Sequence, residues 1–163
     1  TALRGCVPTT SPAPLTDFAI TFGSLLGGGL DDLRDSDDQR LHSRSGFGFS
    51  AIEPTVLELR IGAIAADPTA LSIELEIESA ISQSNGVASV RLRNWKSGPF
   101  EEVHTFTVDQ QERTEVIAGI DATNRIRPKD GRIELVHRIV VAATFSAMGF
   151  DASHDRVAVT THR

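Results

Sequence analysis

Residues 71–95 alternate apolar and polar side chains with a period of two. The first run is Leu71-Ser72-Ile73-Glu74-Leu75-Glu76-Ile77-Glu78, and the second is Val90-Arg91-Leu92-Arg93-Asn94-Trp95, with Asn85-Gly86 between them. A helix repeats every 3.6 residues and cannot bury this pattern on one side, whereas successive residues of a strand point to opposite faces. The stretch has to be half-buried strand. Asn-Gly tolerates the positive φ of a type I′ turn, so the spacing predicts a two-residue hairpin with Ser84 facing Val87. That register sets Glu78 opposite Arg93 and Ala80 opposite Arg91. One face is then apolar, and the other carries Glu74, Glu76 and Glu78 beside Arg91, Arg93 and Trp95. Each opposite-charge pair contributes about 0.2–1 kcal/mol, but a one-residue slip would turn the whole apolar face to water.

The same signal recurs along the chain. Strands are predicted at 17–23, 40–45, 56–64, 100–108, 113–120, 132–148 and 156–161. In the third, Leu57, Leu59 and Ile61 point inward and Glu58 and Arg60 outward. The segment 132–148 is longer than an ordinary strand, so a bulge is expected near Ala142-Ala143. Phe47 and Phe49 read as loop residues between glycines. The only helical signal is one short acidic turn near 30–38. Eight or nine short strands with almost no helix predict an all-β fold, a single antiparallel β-sandwich of jelly-roll or Greek-key type. Pro8, Pro12 and Pro14, with Thr9, Thr10 and Ser11, mark residues 1–16 as a Pro/Thr-rich arm or linker ahead of a sandwich domain at 17–163.

Charge and composition exclude some functions. The 163 residues carry a formal net charge of -6 and no basic stripe, so nucleic acid is a poor partner. No apolar run approaches the ~20 residues of a membrane span. The single cysteine, Cys6, excludes an internal disulfide and multi-cysteine metal sites. The glycines at 23 and 27–29 lack the Lys-Ser or Lys-Thr of a phosphate loop, and no nucleophile elbow is present. No catalytic residues are assigned, and the chain is read as a non-enzyme.

Three stretches together support a resemblance. The first runs from Gly23-Ser24-Leu25 to Asp31-Asp32-Leu33-Arg34-Asp35-Ser36-Asp37-Asp38-Gln39-Arg40-Leu41. The second is 90–101, with Asn94-Trp95-Lys96-Ser97-Gly98. The third joins Gly131-Arg132-Ile133-Glu134-Leu135 to Asp155-Arg156-Val157-Ala158-Val159. Their order resembles a β-sandwich domain of secreted and surface proteins of planctomycetes and related bacteria, itself similar to galactose-binding-like jelly rolls. The resemblance implies an extracellular or cell-surface module, with a periplasmic location as the variant, and no established activity.

Two candidate sites follow. The acidic run, with Asp35, Asp37 and Asp38, offers the oxygen ligands calcium prefers, and Asp155 could close such a site from the far end of the chain. The same carboxylates could instead cap a short turn. Trp95 lies on the polar face beside Arg91 and Arg93, where it could stack on a sugar or fill a partner's pocket. His137, on an apolar strand face, reads as a hydrogen-bonded core residue. The leading expectation is a non-catalytic structural or interaction module, self-associating or bound to a protein partner through strand edges and the arm. The alternative is a calcium-supported carbohydrate-binding module.

Overall fold

A computed structural model describes residues 9–46, 53–142 and 149–163. They form β1 (Thr10–Pro12), β2 (Leu15–Phe22), β3 (Ser24–Gly27), a 3-10 turn (Asp31–Leu33), β4 (Leu41–Arg44), β5 (Thr55–Ile64), β6 (Ser72–Ile81), β7 (Gly86–Arg93), β8 (Phe100–Val108), β9 (Arg113–Asp121), β10 (Arg132–Val141) and β11 (Asp151–His162). One sheet has six strands, ordered β3-β4-β11-β6-β9 with β1 also on β11; the other has five, ordered β2-β5-β10-β7-β8. All pairings are antiparallel. This is the predicted sandwich. Alternation drives it: Leu59, Ile61, Val90, Leu92, Ile133 and Leu135 of one sheet meet Ile73, Leu75, Ile77, Val157 and Val159 of the other in one dry core. Burying each such side chain contributes about 1.5–3 kcal/mol.

The predicted hairpin is corrected. Asn85 does take a left-handed φ of 72°, but β6 and β7 lie in different sheets. β6 pairs with β9 and β11, so Glu78 stands opposite Thr114 and Arg156. β7 pairs with β8 and β10, so Arg93 stands opposite Phe100. The link instead crosses the sandwich. Ser82 N–H donates to Asp151 C=O at 2.8 Å, and Ile81 N–H to Asp109 C=O at 2.9 Å. Two strands with equally apolar inner faces cover each other across the core, which buries both without their pairing edge to edge.

The domain boundary at 16/17 also shifts. β1 pairs with the end of β11, Ala13 N–H donates to Val159 C=O at 2.8 Å, and Leu15 is buried in the core. The later half of the predicted arm is therefore part of the sandwich. Residues 1–8 with Cys6, the loop with Phe47 and Phe49, and the predicted strand from Ala143 to Met148 lie outside the described residues. The bulge predicted near Ala142-Ala143 borders those residues; among the described residues register shifts occur in several pairings, one of them in β11 between His154 and Arg156. The helical turn is limited to Asp31–Leu33, where Leu33 is fully buried and pins the segment to the core.

Candidate functional site

The outer face of the five-stranded sheet concentrates the unusual chemistry. Alternation along β10 sends Ile133, Leu135, His137 and Ile139 inward and Arg132, Glu134, Val136 and Arg138 outward. Register then builds rows across the sheet. Ala19, Arg60, Val136, Arg91 and Glu102 form one row. Asp17 and Glu134 flank Gly62 in the next, which ends on Arg93 and Phe100.

Glu134, with a side chain only 7% exposed, gathers three guanidiniums. Arg60 and Arg93 both donate to Oε2, the latter at 3.2 Å, and Arg132 Nε donates to Oε1 at 2.9 Å. Burial alone would push this carboxyl up, but the donated bonds from Arg132 and Arg60 outweigh it and hold it below the usual glutamate value. Arg132 also grips Asp17 with both Nη groups at 2.9 Å. That hydrogen bonding lowers the Asp17 pKa against the opposing effect of burial, and it raises that of Arg132. Gly62 lies beneath this pair: a Cβ there would sit 2.6 Å from Asp17 Oδ2 and 2.8 Å from Arg132 Nη2.

At one end of this face the guanidiniums lie over aromatic rings. Arg60 and Arg93 stand 5.4 and 5.8 Å from the Phe100 centroid. Arg93 and Arg127 stand 4.8 and 4.6 Å from that of Trp95. The turn carrying Trp95 is tightly fixed. Asn94 Oδ1 accepts from the N–H groups of Lys96 and Ser97 at 2.9 and 3.1 Å, and its Nδ2 donates to Glu101 at 2.7 Å. Trp95 N–H donates to Asn124 C=O at 2.7 Å, tying this turn to the β9–β10 loop. Between them runs a groove of about 250 Å³, walled by Pro68, Ala70, Trp95, Asn124, Ile126 and Pro128. It falls just below the ~300 Å³ at which ordinary small-molecule pockets begin. Guanidinium forks around half-buried rings can donate hydrogen bonds to hydroxyl or carboxylate oxygens while the rings keep them in place.

Of the predicted partner-binding residues, Arg93 and Trp95 are in contact, and Arg91 lies one row away on the same face. Arg60, Phe100, Arg127, Arg132 and Glu134 were missed. Four of them are outward-facing strand residues or sit at a strand end, so alternation was signal enough for exposure. What the sequence withheld was that β5, β10 and β7 are neighbours.

The predicted calcium set does not assemble. Asp35, Asp37 and Asp38 are exposed. Asp37 accepts from the Gln39 backbone and side chain, each at 3.1 Å, which is a local turn cap, and Asp38 lies 3.6 Å from Arg40. Asp155, by contrast, is 2% exposed at the β11 bulge. One of its oxygens lies within 4.8 Å of one oxygen each of Glu78 and Glu112, which lie within the same distance of each other. Ser36 Oγ donates to Asp155 Oδ2 at 3.3 Å, while Asp155 Oδ1 and Glu112 Oε2 are buried without a partner. Burial, against the pull of Arg40, raises the Glu112 pKa.

Histidines assemble elsewhere. His137 Nδ1 and His154 Nε2 share a hydrogen bond of 3.0 Å inside the core, with Phe106 stacked on His137 and His104 on Phe106. His104 Nε2 meets Glu115 at 2.7 Å across the open side of the sandwich.

No family model and no curated protein matches the chain. Solved structures of the same shape do. The family 32 carbohydrate-binding module of C. perfringens NanJ, in complex with galactose, is 13% identical with a TM-score of 0.54, covering 93% of this chain and 99% of its own. A family 29 carbohydrate-binding module variant is 8% identical with a TM-score of 0.51, covering 94% and 93%. TmCBM61 in complex with β-1,4-galactotriose is 10% identical with a TM-score of 0.50, covering 94% and 88%. At these identities the likeness is one of fold. These three neighbours are carbohydrate-binding modules, and they overturn the leading expectation of a structural or self-assembling subunit in favour of the carbohydrate-binding part of the alternative.

Proposed function

We propose that this chain is a carbohydrate-binding module of extracellular type. It would hold a glycan at the Trp95 end of the five-stranded sheet, without carrying out a reaction on it. One observation carries the reading: Trp95 lines a groove, Arg93 and Arg127 lie over its ring, and Arg93 with Arg60 lies over the Phe100 ring, so apolar ring surface and fixed hydrogen-bond donors converge on one place. A sugar ring offers the matching surfaces, with C–H groups on its faces and hydroxyls on its rim. The fold shared with carbohydrate-binding modules supports this. The ring faces of Trp95 are partly covered by guanidinium, so the ligand would meet a ring–guanidinium stack rather than a bare indole. The test is affinity electrophoresis through gels containing neutral and acidic polysaccharides. We expect retardation in at least one gel, loss of it in Trp95→Ala, and no release of reducing sugar. Equal migration of wild type and Trp95→Ala in every gel would reject the site.

A divalent cation would belong away from that site, at Glu78, Glu112 and Asp155. The orphaned Oδ1 of Asp155 and the clustered carboxylates suit a hard cation such as calcium, whose charge would offset the repulsion among the three side chains. Its role would be to tie β6, the β8–β9 loop and the β11 bulge together.

A further inference from the structure

The arginine face points to the chemical class of the glycan. Five guanidiniums face outward from the five-stranded sheet: Arg60 on β5, Arg91 and Arg93 on β7, and Arg132 and Arg138 on β10. Four carboxylates share the face: Asp17, Glu58, Glu102 and Glu134. Asp17 and Glu134 are engaged by Arg60, Arg93 and Arg132. The other two are turned away from the arginines they oppose in register. Glu58 stands opposite Arg138 but accepts from Thr21 Oγ1 at 2.8 Å. Glu102 stands opposite Arg91 but accepts from Thr105 Oγ1 at 3.1 Å. Among the described residues, neither Arg91 nor Arg138 has an ion-pair partner, and Arg138 Nε is buried without a hydrogen-bond partner.

These two arginines belong together. Val136 pairs with Arg91 and Arg138 with Ser89, so Arg91 and Arg138 are diagonal neighbours on one face, about 7–8 Å apart at the backbone. Both are half-buried, and a guanidinium partly removed from water without a counter-charge is costly. The chain as a whole is acidic, with a net charge of -6, so the two unpaired cations do not reflect a generally basic surface. A sugar hydroxyl would leave their charge standing. A carboxylate would cancel it and match the planar fork of donors.

We infer that the face takes a carboxylate-bearing glycan, of the polyuronate class, with one carboxylate seated between Arg91 and Arg138. The inference rests on the carbohydrate reading above. The probes are polygalacturonate, its methyl-esterified form, dextran sulfate and a neutral galactan, each cast in a native gel or titrated by calorimetry. Polygalacturonate binds best, and esterification weakens binding at least tenfold, as does raising salt from 50 to 500 mM. Arg91→Gln/Arg138→Gln binds the acid form no better than the ester, and Arg91→Lys/Arg138→Lys, which keeps charge but loses the fork, fails to restore the preference. Retention of galactan but not polygalacturonate overturns this inference and leaves the carbohydrate reading standing. Dextran sulfate binding as well as polygalacturonate overturns the carboxylate assignment. No retention on any of the four overturns both readings.

Discussion

The buried histidine pair predicts how the sandwich responds to acid. His137 and His154 are 1% and 0% exposed and share one hydrogen bond, so at least one must be neutral to accept it. Their outer nitrogens, His137 Nε2 and His154 Nδ1, are buried and have no partner among the described residues. A third proton would therefore place a cation in the core with nothing to receive it. Burial holds His154 at about 4. Burial and the neighbouring ring hold His137 well below 6.5. Both values are depressed relative to the unfolded chain, which takes up protons first. Stability is then fully present above pH ~6.5 and falls as pH drops toward the folded values. At pH 5 His154 alone has cost about 2 kcal/mol relative to pH 7.5, and His137 adds to that loss in the same direction, against an ordinary domain's stability of about 5–15 kcal/mol. The assay is urea unfolding at pH 7.5, 6.5, 5.5 and 5.0, for wild type and His137→Leu/His154→Leu. Glu112, raised by burial, acts in the opposite direction but is present in both proteins, so the difference between the curves isolates the histidines. The double variant should lose most of the wild type's pH dependence in this window. Parallel curves would refute the reasoning.

Three further outcomes follow from single positions. Gly131 has φ 74°, and a Cβ there would lie 2.3 Å from Ala65 C=O, so Gly131→Ala should cost at least about 2 kcal/mol; a change under about 0.5 kcal/mol by urea unfolding would count against the described turn. Glu134→Gln removes the charge that three guanidiniums share and should destabilise by about 3 kcal/mol at pH 7, read as a lower unfolding midpoint with unchanged m-value; an unchanged midpoint would mean that the arginines are satisfied by solvent. Calcium at about 100 times its Kd should add about 2.7 kcal/mol, a rise of roughly 5–10 °C in Tm, abolished in Asp155→Asn; a flat melting curve with excess ion in wild type would remove the cation from the site.

Strand positions and facing were legible because burial has a period of two in any sandwich. Leu57, Leu59 and Ile61 point inward as predicted, as do Ile133, Leu135 and Ile139, and His137 is the hydrogen-bonded core residue that its apolar face suggested. Pairing was not legible. Asn85-Gly86 specifies a backbone conformation, and Asn85 adopts it, but the same conformation serves a link between sheets as well as a hairpin. The grouping of the candidate site residues was only partly legible for the same reason. Asp155 was singled out as a late acidic residue able to close a site on the acidic run, yet its near neighbours are Glu78 and Glu112, which join it because β6 lies between β9 and β11. Trp95 and Arg93 were found because they are two residues apart, whereas Arg60 and Arg127 reach the same rings from other strands and loops.

The link at 82–85 has a consequence for how the chain acquires its shape. Of the nine strand pairings among the described residues, only β3–β4 and β7–β8 join consecutive strands; β6 waits for β9 and β11, and β10 is the late strand that unites β5 with β7. Almost every ladder therefore closes a long loop before any of its hydrogen bonds repay the entropy. Refolding should be slow, in the millisecond-to-second range of non-local β topologies. During that interval the apolar flanks of β5 and β6 have no partner sheet, so acidic residues spaced along β6 would serve the unfinished chain, by mutual repulsion, before they serve the finished one.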